Sequence, residues 1–135
     1  QNGIGIMAYG PLAHGLLGGE FQRGDKLQDD DWRSRYTLFE APVFEKIMGI
    51  VDKLGPIAKS YDRTLAHLAI NWTLSRNGIT TALIGMRQAD HVDENAQAAG
   101  WNLSAKDMEK IDSAIIAADL GLRILPPDEY LEKTK

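Results

Sequence analysis

Two short runs, residues 4–9 (IGIMAY) and 79–84 (ITTALI), constrain the fold of this chain more than anything else in it. Each is mostly apolar and bounded by Gly or Asn. Near-continuous apolar runs of this length suit strands of a parallel sheet covered on both faces. Two such strands do not make a stable sheet by themselves. The expectation is that further strands come from elsewhere in a longer chain; the alternative is several copies that assemble to supply them.

The rest of the pattern is a long loop and helices. Segment 18–40 is polar and rich in Asp, Arg and Gly. It reads as an excursion loop, uncommon in a compact domain unless functional. Val43, Ile47, Ile50, Leu54, Ile57 and Tyr61 recur at spacings of four and three, an amphipathic helical stripe. Pro56 has no N–H to donate and should kink or restart that helix. A second helix, 64–76, places Leu65, Leu68, Ala69 and Trp72 on one face, with Asp62 or Thr64 as cap. Asn77-Gly78 ends it and turns into the second strand. Further helices are expected over 90–98 and from Ser104, where Asp107 makes an acidic variant of a capping box and Met108, Ile111 and Ile115 face inward. Asn2-Gly3 reads as the C-terminal cap of an upstream helix. The tail from Leu120, with Pro126-Pro127, reads as a segment wrapping a surface.

Composition narrows the function classes. A chain of 135 residues, 44% hydrophobic and 25% charged, fits one ordinary globular domain. A formal charge of −4 argues against a nucleic-acid partner, which needs clustered Lys and Arg. The chain has no cysteines, which excludes disulfides and thiolate metal sites. No apolar run spans a bilayer, and the start has neither the basic nor the apolar part of a signal peptide. A cytoplasmic location and no membrane partner are expected.

Candidate sites lie where the strands end. Gly3-Ile-Gly5-Ile-Met-Ala8 matches a dinucleotide fingerprint as a string, but lies at the start of its strand rather than after it, so it is a chance match. Tyr9-Gly10-Pro11-Leu12 is better placed, because barrel active sites sit at C-terminal strand ends. The aromatic ring offers a stacking surface and Gly10 lets backbone approach a ligand; the plainer alternative is an ordinary turn with a half-buried Tyr. Gly85-Met86-Arg87 precedes a helix start, where free N–H groups and a guanidinium make an anion site. His91 and Asn95 share a face of that helix and Glu94 lies beside them; here the alternative is a solvated helix start. Together the pair is stronger, since barrel phosphate sites are built from the loops after strands seven and eight.

Other features carry less. His14, His67 and His91 are far apart with no carboxylate pair at metal-ligand spacing, so no metal is expected. His67 reads as a packed or edge residue rather than a ligand, and Trp72 as core. Asp29-Asp30-Asp31 lacks the Gly and distal Glu of a calcium loop. Trp32 lies among charges in the long loop and is the candidate for facing a substrate cavity, with surface packing as the alternative.

Three segments carry a resemblance. Residues 8–19, AYGPLAHGLLGG, resemble the YSPLARGLLTG segment after the seventh strand of aldo-keto reductases. Ile84-Gly-Met-Arg, then Asp93-Glu94-Asn95, resembles their IGxR…EEN segment after the eighth. Residues 63–74 are similar to the TPAQLALAWVL helix between them. The similarity is collinear from about residue 3 to 115. It implies an α/β chain, mostly helical with two parallel strands, forming the C-terminal portion of a (β/α)8 barrel, with residues 1–135 an incomplete part of one barrel domain.

The resemblance further implies an NADP(H)-dependent oxidoreductase that reduces an aldehyde or ketone to an alcohol. Tyr9 would stack on the nicotinamide, with Gly10, Pro11 and Leu12 near the pyrophosphate. Gly85, Met86 and Arg87 would surround the 2′-phosphate, and Glu94 and Asn95 would meet the adenine. There are two departures: Gly10 replaces the usual Ser, and His91 stands where Gln or Arg is usual, so it joins the cofactor-binding set with altered contacts. The family's catalytic Asp, Tyr, Lys and His come from the first half of the barrel, so no catalytic residue is assigned here, and neither Tyr36 nor Tyr61 matches the motif. The chain by itself is expected to be inactive. The other readings are a non-catalytic nucleotide-binding or regulatory barrel module, and a self-associating α/β protein without cofactor.

Overall fold

The computed structural model describes residues 3–86 and 88–121. Asn2 of the expected cap, Arg87, and the tail 122–135 with Pro126-Pro127 lie outside the described residues.

The two apolar runs form β1 (Ile6–Tyr9) and β2 (Ile79–Leu83), paired in parallel. Ile6 faces Ile79, and after an irregularity Met7, Ala8 and Tyr9 face Thr81, Ala82 and Leu83. Close approach fixes that start. A Cβ on Gly5 would lie 2.7 Å from Thr80 Cγ2, and the Thr80 hydroxyl donates to the Ile6 carbonyl at 3.1 Å. Neither strand supplies a buried core residue. Ile6, Met7, Tyr9 and Leu83 are exposed large apolar side chains, as strands without neighbours should be.

Segment 18–40 is not wholly irregular. Short 3₁₀ turns, Trp32–Arg35 and Thr37–Phe39, shape its second half. It leads into α1 (Val43–Ser60), whose stripe buries Phe44, Ile47, Met48, Ile50, Leu54 and Ala58. The restart expected at Pro56 does not occur, and α1 runs through it. Leu54 and Ala58, either side of the proline, are buried in one cluster. That packing offsets the hydrogen bond Pro56 cannot make, a loss of about 3 kcal/mol in a helix interior.

Helix α2 (Leu65–Leu74) is capped by Thr64, whose hydroxyl accepts the His67 N–H at 3.2 Å. Its burial exceeds the single face read from sequence: every residue from Ala66 to Asn71 is buried. The cause is position, since α2 is packed by α1, β2 and the first loop at once. Helix α3 spans Asp90–Ala96, shorter than expected. Helix α4 (Ala105–Ala118) starts at Ser104 as its capping pattern predicts, with Ile111 and Ala114 buried. Only half of the capping box forms directly. The Ser104 N–H donates to the Tyr61 hydroxyl at 3.0 Å, not to Asp107.

The core is therefore helical. Ile50, Leu54, Ala58, Leu68, Ile111 and Ala114 join α1, α2 and α4. A second cluster seats Leu16, from the loop after β1, on Phe44, Ile47 and Met48. That seat fixes where the β1 loop emerges.

Candidate functional site

Tyr9 ends β1 with its side chain free of the core, at 81% exposure. The chain then turns sharply. Gly10 has φ +69° and its carbonyl accepts the Ala13 N–H at 3.0 Å. The Leu12 carbonyl accepts the Gly15 and Leu17 N–H groups. His14 has φ +58°, a left-handed conformation disfavoured for a residue with a Cβ.

Contacts from segment 18–40 hold His14 there. The Arg33 guanidinium donates to the His14 carbonyl at 3.3 Å while making hydrogen bonds to both carboxylate oxygens of Asp31. That pairing raises the Arg33 pKa above its ordinary value, chiefly through the hydrogen bond to Asp31. The His14 ring lies 4.5 Å from the Tyr36 ring and 5.4 Å from Trp32, and Trp32 meets Tyr36 edge-on at 5.7 Å. Three aromatic rings thus clamp the excursion loop over the loop that follows β1.

The second loop leaves β2 at Ile84 and runs through Gly85 and Met86 towards α3. Both loops open onto one cleft of about 470 Å³. Tyr9, Pro11 and Leu12 line it from the first loop; Gly85, Met86, His91, Glu94 and Asn95 line it from the second. Trp32 contributes from the excursion loop. Gly10 is not in the lining, and Arg87 lies outside the described residues. The loops need no further strands to meet, because the parallel pairing of Tyr9 with Leu83 places both loop starts at one sheet end.

The family model for "Aldo/keto reductase family" matches residues 1–116. The chain belongs to this family. Aldo-keto reductase YhdN of Bacillus subtilis (strain 168) is 30% identical over 94% of this chain and 40% of its own length. Aldo-keto reductase yakc [NADP(+)] of Schizosaccharomyces pombe is 27% identical over 93% of this chain and 37% of its own. The glycerol dehydrogenase AKR11B4 structure from Gluconobacter oxydans superposes with a TM-score of 0.79 at 27% identity, over 91% of this chain and 37% of that one. The chain thus spans about two fifths of the length of the aldo-keto reductases it matches. Its two parallel strands with their following helices are a portion of a (β/α)8 barrel.

Against this aldo-keto reductase frame, sequence reasoning missed His14, Glu20 and Arg33, which also line the cleft. Glu20 and Arg33 carried no local signal, because they reach the cleft only when the excursion loop folds back. The Asp29–Asp31 run held a clue, for Asp31 is the partner of Arg33. Two adjustments follow at α3. Its N-cap, Ala89, makes no side-chain cap, and Asp90 and Asp93 already occupy its first turn. Those carboxylates satisfy the helix dipole that an anion would otherwise seek. Tyr36 and Tyr61 are both engaged elsewhere, Tyr36 in the aromatic clamp and Tyr61 with Asp107. Among the described residues no group of three His, Asp or Glu is placed to hold a metal, and no helix is long and apolar enough to cross a membrane.

The two loops also bring together groups that can stack, accept and donate. Tyr9 presents an exposed ring, and a Cβ on Gly10 or Gly85 would meet nothing within 4 Å, leaving room beside the main chain. Glu94, Asn95 and His91 supply acceptors and donors of the kind an adenine edge uses.

Proposed function

We propose that this chain is the cofactor-gripping part of an NADP(H)-dependent oxidoreductase that reduces a small aldehyde or ketone to an alcohol. The observation that carries the reading is the shared cleft, in which eight of the ten residues proposed for cofactor contact converge from loops separated by the whole of α1 and α2. Family membership and a relative whose name carries NADP(+) support it.

In this reading Tyr9 provides a platform for the nicotinamide, and Gly10, Pro11 and Leu12 run beside the pyrophosphate. Gly85, Met86 and Arg87 surround the adenosine 2′-phosphate, where a permanently charged, fork-shaped guanidinium is the right chemistry. His91, Glu94 and Asn95 hold the adenine. Trp32 faces the substrate side. NADPH, when bound, supplies the hydride. We assign no catalytic residue within the chain and place the proton-donating group in the remainder of the barrel, in a protein of the cytoplasm.

Titration of the ¹⁵N-labelled chain with NADPH and NADH tests this. Because much of the pocket lies on other strands, NADPH should bind weakly, with Kd of about 1 mM, worth about 4 kcal/mol. Resonances of residues 9–12 and 85–95 should move, and NADH should bind more weakly for want of a 2′-phosphate. Movement elsewhere only, or equal response to both nucleotides, would contradict the assignment.

A further inference from the structure

Helix α3 has little of its own to keep it in place. It is seven residues long, buries none of them, and lacks a side-chain N-cap. Isolated helices shorter than about 12–15 residues are marginal in water. Yet His91, Glu94 and Asn95, all on α3, form one wall of the cleft. Something outside α3 must fix its main chain.

The attachment comes from α2. Among the described residues, the buried polar side chains are His67 and Asn71, 5% and 4% exposed. Four residues apart on a helix, they share a face. A polar group buried without a partner is costly, so these two must find partners. They find them on the backbone of α3 and its exit.

His67 is fixed in one tautomer. Its Nδ1 accepts the Thr64 N–H at 3.3 Å, so Nε2 carries the ring proton and donates to the Glu94 carbonyl at 2.8 Å. That carbonyl lies in the last turn of α3, where it also accepts the Gln97 N–H at 3.0 Å, so the imidazole is its second donor. Asn71 Nδ2 uses both hydrogens, donating to the Ala98 carbonyl at 3.0 Å and the Trp101 carbonyl at 2.9 Å. Ala98, fully buried, seats the same stretch. One ring and one amide therefore hold α3 at its last turn and just beyond.

We infer that His67 and Asn71 are positioning residues, a two-point latch that holds the α3 main chain so that His91, Glu94 and Asn95 line the cleft. The latch thereby sets affinity for the adenine end of the cofactor. Neither residue lines the cleft itself. The affinity clause rests on the proposed function above; the latch does not.

The test compares His67→Gln with His67→Met in the full chain. Gln can accept from Thr64 and donate to Glu94, whereas Met has similar length, no donor and only a weakly accepting sulfur. Amide hydrogen exchange is measured without nucleotide over residues 92–99, with residues 108–116 of α4 as internal reference, and NADPH affinity is measured by titration. In H67M, exchange over 92–99 should rise about tenfold relative to α4, and NADPH affinity should fall by a similar factor. H67Q should stay near wild type in both. Asn71→Ala should reproduce the exchange effect should H67M fail to fold. Equal acceleration of α3 and α4, or no difference between H67Q and H67M, overturns the latch. Faster α3 exchange with unchanged NADPH affinity overturns its role in binding. A wild-type chain that binds no NADPH overturns the cofactor reading and its affinity clause, while the exchange comparison still decides the latch.

Discussion

The Tyr61 hydroxyl donates to Asp107 Oδ2 at 2.7 Å and accepts the Ser104 N–H at 3.0 Å, tying the end of α1 to the start of α4. One phenol thus completes a capping box that the Asp107 side chain is too short to close alone. Tyr61→Phe keeps the ring contact with Trp101, 5.1 Å between centroids, and removes only the hydroxyl. It should lower the melting temperature by a few degrees, because the Ser104 N–H loses its partner. Thermal unfolding followed by circular dichroism checks this; an unchanged midpoint would show that water replaces the hydroxyl without cost.

The same residues predict a pH dependence. Hydrogen bonds from Lys110, Tyr61 and Ser104 hold the Asp107 carboxyl well below its ordinary pKa. A depressed folded pKa contributes stability that is complete above the unfolded value, about 4, and is lost as pH falls below it. Asp107→Asn should therefore lower stability at neutral pH and make the curve less steep on the acid side of pH 4. Urea unfolding at pH 7 and pH 3 would measure it. The gap between wild type and D107N should narrow at the lower pH, and a constant gap would refute the assignment.

Two opposing effects meet at His14. Its left-handed backbone costs roughly 1–2 kcal/mol for a residue with a Cβ, which glycine would relieve. Its ring contacts with Trp32 and Tyr36 are each worth about 0.5–1.5 kcal/mol, and glycine also gains chain entropy when unfolded. The second pair should win. His14→Gly is expected to destabilise by about 1 kcal/mol and to shift Trp32 emission to the red as the clamp opens. A blue shift or a gain in stability would mean that the strain dominates.

Much of the fold was legible because its signals are local. The apolar runs, the Thr64 and Ser104 caps and the stripe of α1 all read directly as the elements they become. What stayed hidden depends on distance along the chain. His67 reads as an ordinary packed residue because its partner, the Glu94 carbonyl, is 27 positions away. Arg33 and Glu20 join the cleft only once the excursion loop folds back over His14. That the loops after the two strands share one site could be read from their places at strand ends, but the pairing register that brings Tyr9 and Leu83 to the same sheet end could not be read from periodicity.

The unbroken course of α1 gives a prediction whose sign separates two readings of Pro56. Were the helix to restart there, Pro56 would occupy a first helical position, where its fixed φ is favourable and its missing N–H costs nothing. Pro56→Ala would then be neutral or slightly destabilising. In the observed α1, Pro56 sits well inside an 18-residue helix, four residues after Asp52, whose carbonyl it leaves without an intrahelical donor. Alanine restores that donor and removes the ring's clash, so Pro56→Ala should stabilise the chain by about 2 kcal/mol. Part of the gain is offset because alanine leaves the unfolded chain freer than proline does. Chemical denaturation settles it: a midpoint that moves to higher urea supports the continuous helix, and one that falls restores the break that the sequence suggests.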